Sequence, residues 1–293
     1  MMTIRELLQF AKSQGLDTLD AEVLLAHVLE KNRAYLLTWP DAPVADIAAT
    51  HYQNYLTRRA LGEPIAYILG YKEFWSLPIG VTSDTLIPRA DTECWIHWLL
   101  QYFTDPERLR VLELGTGSGA VALALAHEKP QWAICAVDYS KAALAMAIRN
   151  AQTLGSPQIE WLLSDWYQAL SGRVFDVIVA NPPYIAEEEP HWQQGDLRFE
   201  PKSALVAAEN GLKDLAHIIQ QAPQYLASLG LLLVEHGYWQ GPSVSSLFIA
   251  AGFSTVETHC DYGGQPRWTV GVMESKEGYI AYPSGHNRAV PLI

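Results

Sequence analysis

Residues 110–126 read Arg110-Val-Leu-Glu-Leu-Gly115-Thr116-Gly117-Ser118-Gly119-Ala120-Val-Ala-Leu-Ala-Leu-Ala126. A short apolar run, a glycine-rich turn and a longer apolar run are typical of a strand, a tight loop and a helix. The alternation continues, with strands predicted at 133–138, 159–165 and 175–180 and a helix at 141–151. This pattern predicts an α/β fold in which a mostly parallel sheet carries helices on both faces.

The polar residues of this region stand at the carboxyl ends of the predicted strands. The loop Gly115–Gly119 follows the first strand, and Asp138, Asp165 and Asn181 end or follow the next three. Ligands of open parallel sheets bind beyond the carboxyl ends of the strands. We therefore expect these residues to line one ligand site.

The glycine loop by itself is compatible with two classes of cofactor. From Gly115 onward it satisfies the Gly-x-Gly-x-x-Ala spacing of the dinucleotide fingerprint, and Asp138 lies where it could bind a ribose hydroxyl. S-adenosylmethionine has the same adenosine but a carboxylate in place of pyrophosphate, and a loop at a helix N-terminus suits either anion. Gly119 and the pair Asp165-Trp166 favour S-adenosylmethionine, since the acid could bind the adenine amino group and the indole could cover the ring. A nicotinamide-dependent oxidoreductase stays as an alternative.

Asn181-Pro182-Pro183-Tyr184 follows the predicted strand at 175–180. Proline lacks an N–H and fixes φ, so two prolines end the ladder and predict a stiff loop. The Asn181 side-chain oxygen and the Pro182 carbonyl could then accept both N–H bonds of a planar –NH2 group, with Tyr184 covering its face. The alternative interpretation is a strand terminator with an N-capping asparagine.

The chain before residue 73 is predicted to be a small helical bundle, because apolar residues recur at helical spacing over 3–38 and 45–61. Arg58 and Arg59, in the last turn of the second segment, are expected to be solvated charges. Aromatic and β-branched residues alternating with turn formers then predict a short hairpin. The predicted organisation is a helical domain at 1–72, a hairpin linker at 73–88, an α/β domain at 89–274 and a tail at 275–293.

Charge and composition narrow the class of function. The 293 residues have a net charge of −12, and residues 73–293 hold 24 acidic against 13 basic side chains. Proteins that grip a phosphate backbone usually carry the opposite charge, so no direct nucleic-acid binding is expected, whereas a basic protein partner would be attracted. No apolar run approaches the roughly 20 residues of a membrane span, and the N-terminus lacks a signal pattern. Three widely spaced cysteines indicate no disulfide framework and no metal site, and a cytoplasmic location is expected.

Together these motifs resemble the class I S-adenosylmethionine-dependent methyltransferases that modify a planar amine or amide nitrogen. Further segments narrow the resemblance to the release-factor glutamine methyltransferases, the HemK/PrmC family. These segments are Gly62-Glu-Pro-Ile-Ala-Tyr67-Ile-Leu-Gly70, Glu73-Phe-Trp75, Leu86-Ile-Pro-Arg89, Asp91-Thr-Glu93, Phe199-Glu-Pro201, Glu235-His-Gly237 with Gln240, and Gly252-Phe253. The resemblance covers residues 4–272, and one departure is Ala90, where the family usually has proline.

The resemblance implies a class I, Rossmann-like methyltransferase sheet, joined by a β-hairpin to a small all-α N-terminal domain that docks the substrate. It implies S-adenosyl-L-methionine as cofactor, with contacts at Gly115, Thr116, Gly117, Ser118, Gly119, Asp138, Trp166 and Asn181. The implied substrate is the glutamine of the Gly-Gly-Gln motif of peptide chain release factors, held by Asn181, Pro182, Pro183 and Tyr184. Asn181 and Pro182 would be catalytic, because accepting both N–H bonds raises the electron density on a poorly nucleophilic amide nitrogen.

The residues alone leave other points open. A methyltransferase acting on a nucleobase amino group, or on another translation protein's glutamine, could use the same loop. Glu187-Glu-Glu189 is either a solvated turn or a contact for a basic partner. Histidines are not expected to act in catalysis, although His236 lies close to a strand end. Gly263-Gly264-Gln265 repeats the presumed substrate motif and is expected to lie in a hairpin turn.

Overall fold

The structure, a computed structural model, describes residues 1–104, 108–156 and 158–274. The tail predicted at 275–293 lies outside the described residues. In the three described ranges, none of the helices combines the length and the apolar content needed to cross a membrane.

The N-terminal part of the chain is a bundle of short helices. They are α1 (Ile4–Ser13), α2 (Thr18–Val28), α3 (Arg33–Thr38), α4 (Asp46–Ala60) and α5 (Ile65–Leu69). Side-chain caps set the starts of α1 and α2: the Thr3 hydroxyl and the Glu6 carboxylate accept from each other's backbone N–H groups, and Asp17 caps α2. Apolar faces of these helices meet in a core that buries Leu24 and Tyr52 completely.

Arg58 stays partly solvated, with 41% of its side chain exposed beside Glu63, whereas Arg59 is not the solvated charge that the sequence predicted. Arg59 contacts the carboxylates of Asp20, at 2.6 Å, and Asp196, at 2.9 Å. Asp196 belongs to a 3-10 helix at Gly195–Phe199, far along the chain. The ion pair therefore ties the helical bundle to the α/β part, which local periodicity could not reveal.

The predicted hairpin consists of β1 (Tyr71–Phe74) and β2 (Leu77–Gly80). The Asn150 side chain holds the last residue of the hairpin: its Oδ1 accepts from the Gly80 N–H at 3.0 Å, and its Nδ2 donates to the Gly80 carbonyl at 2.9 Å. The same Nδ2 donates to the Ser118 carbonyl at 2.8 Å. Asn150 thus connects the hairpin to the glycine loop.

The described residues of the α/β part contain nine further strands. They are β3 (Arg110–Leu114), β4 (Ala133–Asp138), β5 (Glu160–Leu163), β6 (Phe175–Ala180), β7 (Ile185–Ala186), β8 (Val206–Ala207), β9 (Leu226–Glu235), β10 (Phe253–Cys260) and β11 (Pro266–Met273). Seven form one sheet in the order β10-β11-β9-β6-β3-β4-β5, while β7 and β8 pair separately. The strands from β9 to β5 run parallel, and β10 and β11 are antiparallel. The predicted mostly parallel sheet is confirmed.

Helices cover both faces of this sheet, as predicted. The remaining helices are α6 (Ala90–Tyr102), α7 (Ala120–Glu128), α8 (Lys141–Thr153), the short α9 (Lys202–Leu205), α10 (Lys213–Tyr225) and α11 (Gly241–Ala250). Side chains of α6, α7 and α8 pack with Val111 on one face, and those of α10 and α11 pack with Leu112 on the other. Helix α10 begins with the charged residues Lys213 and Asp214, and its buried side chains include Leu215, Ile218 and Ile219.

Candidate functional site

A cavity of about 560 Å³ opens at the carboxyl ends of β3, β4, β5 and β6. Its volume falls in the range of roughly 300–1,000 Å³ that is usual for small-molecule sites. Its walls include Gly115, Gly117, Asp138, Asp165, Trp166, Asn181 and Pro183. The sheet thus brings together, along one edge, the residues that the sequence placed at strand ends.

Asp138 is buried at the end of β4 and holds the glycine loop. Its Oδ2 accepts from the Gly117 N–H at 2.8 Å, and its Oδ1 accepts from the Ser140 N–H at 2.8 Å. Burial raises the pKa of this carboxyl, and these backbone hydrogen bonds oppose the rise. Each oxygen keeps lone-pair capacity for a further donor, such as a ribose hydroxyl at the cavity wall.

The glycines allow a close approach of other groups to the loop. Gly119 has φ +81°, and a Cβ there would lie 3.0 Å from the Ala147 Cβ and from the Trp161 ring. A Cβ on Gly115 would lie 3.4 Å from the ring of Trp166, which therefore stands against the loop at the cavity wall. The loop is packed tightly behind while its front faces the cavity.

A second cavity of about 250 Å³ adjoins the Asn-Pro-Pro-Tyr loop. Asn181, Pro182 and Tyr184 line it, together with Arg89 and Arg267. This volume is small for a cofactor and suits a single side chain. Asn181 lines both cavities, so they meet at this residue.

A hydrogen-bond chain holds Asn181 from behind. Its Nδ2 donates to the Thr92 hydroxyl at 3.3 Å, and that hydroxyl donates to Oε2 of Glu235 at 2.7 Å. The Trp95 indole N–H also donates to Oε2, at 3.0 Å, while the Tyr184 hydroxyl donates to Oε1 at 3.4 Å. Burial raises the pKa of the Glu235 carboxyl, and the hydrogen bonds from Thr92 and Trp95 lower it.

Gln240 fixes the far end of the same loop. The fully buried side chain donates to the carbonyls of Tyr184, at 3.0 Å, and Asn210, at 3.2 Å, while its oxygen accepts from the Gly237 N–H at 2.8 Å. Gly211, at φ +77°, passes so close to the Tyr184 carbonyl that a Cβ would collide with it. The loop is therefore held by several contacts besides its two prolines.

Charged groups surround the smaller cavity. Arg89 forms an ion pair with the buried Glu200, and Arg267 forms one with Asp261 at 3.0 Å. Glu189 also lines this cavity. Both signs of charge are present, so the walls suit a polar peptide segment.

The structure also shows the surroundings of His236, Glu187 and Gly263–Gln265, whose roles the sequence left open. His236 is fully buried, with its Nε2 bonded to the Thr269 hydroxyl at 2.8 Å, and burial lowers its pKa. The Glu187 carboxylate pairs with Lys202 at 3.3 Å. Gly263–Gln265 occupies the turn between β10 and β11, as expected.

The structure separates the predicted site residues into two groups. Those named above line the cavities, whereas Thr116, Ser118 and Gly119 are buried behind the loop and shape it. The Thr116 hydroxyl donates to the buried Glu113 at 2.7 Å. Thr92, Glu235 and Gln240 belong to motifs of the sequence, but the sequence alone assigns them no role. Because side chains alternate along a strand, the sequence of β9 could have placed Glu235 on the same face as Leu231 and Leu233. It could not have shown that Thr92 lies beside it.

Comparison with known proteins gives consistent matches over nearly all of the chain. Residues 3–70 match the family described as PrmC N-terminal domain, and residues 96–196 match the Methyltransferase small domain. The release factor glutamine methyltransferase of Salmonella typhimurium is 50% identical over 252 residues, covering 86% of this chain and 91% of that protein. The protein of the same name from Aliivibrio fischeri is 45% identical over 271 residues, covering 92% and 95%.

Solved structures agree at the level of the fold. A methyltransferase from Pyrococcus furiosus aligns with a TM-score of 0.53 and 17% identity, covering 76% of this chain and 99% of that one. The predicted Rossmann-like methyltransferase sheet is thereby confirmed.

Proposed function

The chain belongs to the release factor glutamine methyltransferase family, and from this membership we propose that it methylates the glutamine of the Gly-Gly-Gln motif in peptide chain release factors. The methyl group comes from S-adenosyl-L-methionine, and the acceptor is the side-chain amide nitrogen. The observation that carries the proposal is the position of Asn181, where a cavity of cofactor size meets one of side-chain size. Modification of release factors would tune translation termination in the cytoplasm.

The larger cavity fits the proposed cofactor by the chemistry of its walls. Asp138 offers carboxylate oxygens to a ribose, and Asp165 and Trp166 offer an acceptor and a flat apolar face to an adenine. Gly115 and Gly117 leave space for the methionine part, because they bring no side chain to the cavity wall, where a ligand must come close. When bound, S-adenosyl-L-methionine supplies a sulfonium-activated methyl group, so no protein nucleophile has to be alkylated first.

The Asn-Pro-Pro-Tyr loop orients the acceptor. The Asn181 Oδ1 and the Pro182 carbonyl accept the two N–H bonds of the substrate carboxamide, which raises the electron density on its nitrogen and aims the lone pair at the larger cavity. Orientation in a closed site can contribute on the order of 7–11 kcal/mol to the barrier reduction. The nitrogen–methyl bond forms as the sulfur–methyl bond breaks, and the nitrogen then loses one proton to water. The products are the N-methyl amide and S-adenosylhomocysteine.

We assign docking of the release factor to the helical bundle and the adjoining 3-10 helix. The bundle contacts this helix through Arg59 and Asp196 and through the Arg198 guanidinium, which donates to the Leu61 carbonyl at 2.8 Å. Leu197, between these two residues, lines the smaller cavity. A partner lying across the bundle would therefore reach the mouth of the site.

The test is methyl transfer from labelled S-adenosyl-L-methionine to a purified release factor. We expect label on the wild-type factor and none on a factor whose Gly-Gly-Gln glutamine is changed to alanine. Asn181→Ala should lower kcat by roughly 10²–10³, the loss typical for one preorganised polar contact to the reacting group. Gln152→Ala, an exposed amide side chain in the last turn of α8, is the matched control and should leave turnover unchanged. Unlabelled release factor, or full turnover by Asn181→Ala, would refute the proposal.

A further inference from the structure

We propose that Thr92 and Glu235 are positioning residues that set which way round the Asn181 carboxamide sits, with its oxygen toward the cavities and its nitrogen toward Thr92. This inference rests on the proposed function, since it concerns the acceptor for the substrate amide. Neither residue lines either cavity, so both act through Asn181.

The sheet brings the two polar side chains together. Strands β6 and β9 pair in parallel, with Ala180 opposite Val234, so Asn181 and Glu235 are neighbours at the carboxyl edge. Alternation along β6 and β9 places both side chains on the face covered by α6. Helix α6 carries Thr92 between them.

The direction of the hydrogen-bond chain is set at its buried end. A carboxyl oxygen that carries no proton only accepts hydrogen bonds, and an indole N–H only donates. Trp95 and Thr92 both direct donors at Oε2 of Glu235, and the Tyr184 hydroxyl directs one at Oε1. Glu235 is 1% exposed, so these protein donors take the place of water. The hydroxyl proton of Thr92 is therefore used in the hydrogen bond to the Glu235 carboxylate.

Because its proton is donated to Glu235, the Thr92 hydroxyl can only accept a hydrogen bond from Asn181. The amide –NH2 can donate to that oxygen, and its Nδ2 lies 3.3 Å away, whereas the amide oxygen would meet it as a second acceptor. The two ends of a carboxamide have nearly the same shape, so only the hydrogen-bond partner distinguishes the two orientations. Thr92 is the partner that makes the distinction.

The orientation matters because the substrate amide presents N–H groups. With its oxygen forward, Asn181 accepts from the substrate and helps to hold the nitrogen lone pair toward the methyl donor. With its nitrogen forward, the Asn181 –NH2 group would face the N–H groups of the substrate amide. Two donors cannot bond to each other, so the substrate nitrogen would lose one of its two acceptors. Removing the Thr92 hydroxyl should leave both orientations populated.

The experiment compares Thr92→Val, which keeps the shape but removes the hydroxyl, with Thr92→Ser, which keeps the hydroxyl. Thr269→Val is the matched control, because Thr269 is a fully buried threonine whose hydroxyl bonds to His236 and Thr258 and has no contact with Asn181. Each variant is assayed for kcat and KM with a release factor, for S-adenosyl-L-methionine affinity by calorimetry, and for thermal midpoint. Thr92→Ala replaces the valine variant if that variant does not fold.

We expect kcat to fall about two- to tenfold in Thr92→Val: about twofold if the two orientations become equally populated, and about tenfold if the nitrogen-forward orientation is favoured by about one net hydrogen bond. KM and cofactor affinity should stay at their wild-type values. Thr92→Ser should recover most of the turnover, and Thr269→Val should lose stability without losing kcat. Unchanged kcat in Thr92→Val, or an equal loss of kcat in Thr269→Val, overturns the positioning role while the methyltransferase assignment stands. Absence of methyl transfer by the wild-type enzyme would instead refute the proposed function.

Discussion

The Asn150→Ala substitution tests whether the hairpin and the glycine loop depend on one side chain. Asn150 is buried on α8 and makes three hydrogen bonds, two with the Gly80 backbone and one with the Ser118 carbonyl, at 2.8–3.0 Å. Alanine keeps the helix intact but leaves one N–H and two carbonyls without these partners. Because Ser118 lies in the glycine loop, the effect should extend to the cofactor cavity.

The magnitude follows from these three bonds. Each contributes on the order of 1 kcal/mol net, so the free energy of unfolding should fall by about 3 kcal/mol. This corresponds to a decrease in thermal midpoint of roughly 5–10 °C. Asn150→Asp has nearly the same shape but no N–H, and it sets a carboxylate against two carbonyls. Its loss of stability should therefore be at least as large.

Urea unfolding measures the effect, followed by both circular dichroism and tryptophan fluorescence so that coincident transitions justify a two-state analysis. Asn54→Ala, on the exposed face of α4, is the control and should stay within about 0.5 kcal/mol of wild type. Cofactor affinity, measured by calorimetry, should fall severalfold in Asn150→Ala. A stability loss no greater than that of the control would refute the view that this asparagine joins the two elements.

Two further substitutions test the cofactor cavity and the contact with the bundle. Asp138→Asn replaces one acceptor oxygen by a donor, so it should weaken S-adenosyl-L-methionine binding about tenfold in calorimetry; unchanged affinity would contradict the ribose assignment. Asp196→Asn removes one partner of Arg59, which keeps Asp20. Because the Asp196 side chain is half exposed, the free energy of unfolding should fall by less than about 1 kcal/mol, and less still at high salt; a salt-independent loss of several kcal/mol in denaturant unfolding would rule out an ordinary surface ion pair.

The sheet and the positions at its edge could be predicted because their signals are local. The run from Arg110 to Ala126 specifies a strand, a loop and a helix within 17 residues. Parallel strands joined by crossover helices must end at the same edge, so Asp138 and Asn181 meet whatever the details of packing. The hairpin could also be predicted from a local signal, because its two strands are adjacent in the chain.

The supporting contacts could not be predicted, because their partners are distant in sequence. Thr92 meets Glu235 across 143 residues, and Arg59 meets Asp196 across 137. A buried glutamate at the end of an apolar strand reads locally as a polar strand end. Only the placement of α6 over the sheet shows that its carboxylate receives three donors.

The rigidity of the Asn-Pro-Pro-Tyr loop has a source that the prolines do not supply. Proline fixes φ within the loop, but it does not fix the orientation of the Asn181 side chain or the position of Tyr184. Both depend on Glu235, and Glu235 faces α6 only while β6 and β9 keep their register. A shift of one residue would turn this carboxylate to the opposite face of the sheet, because side chains alternate along a strand. Register in turn is held by the buried Val and Leu side chains of the two strands, which pack against helices on both faces. The apolar core therefore holds the strand register, and the register positions the buried Glu235 carboxylate. That carboxylate in turn orients the Asn181 oxygen toward a substrate amide.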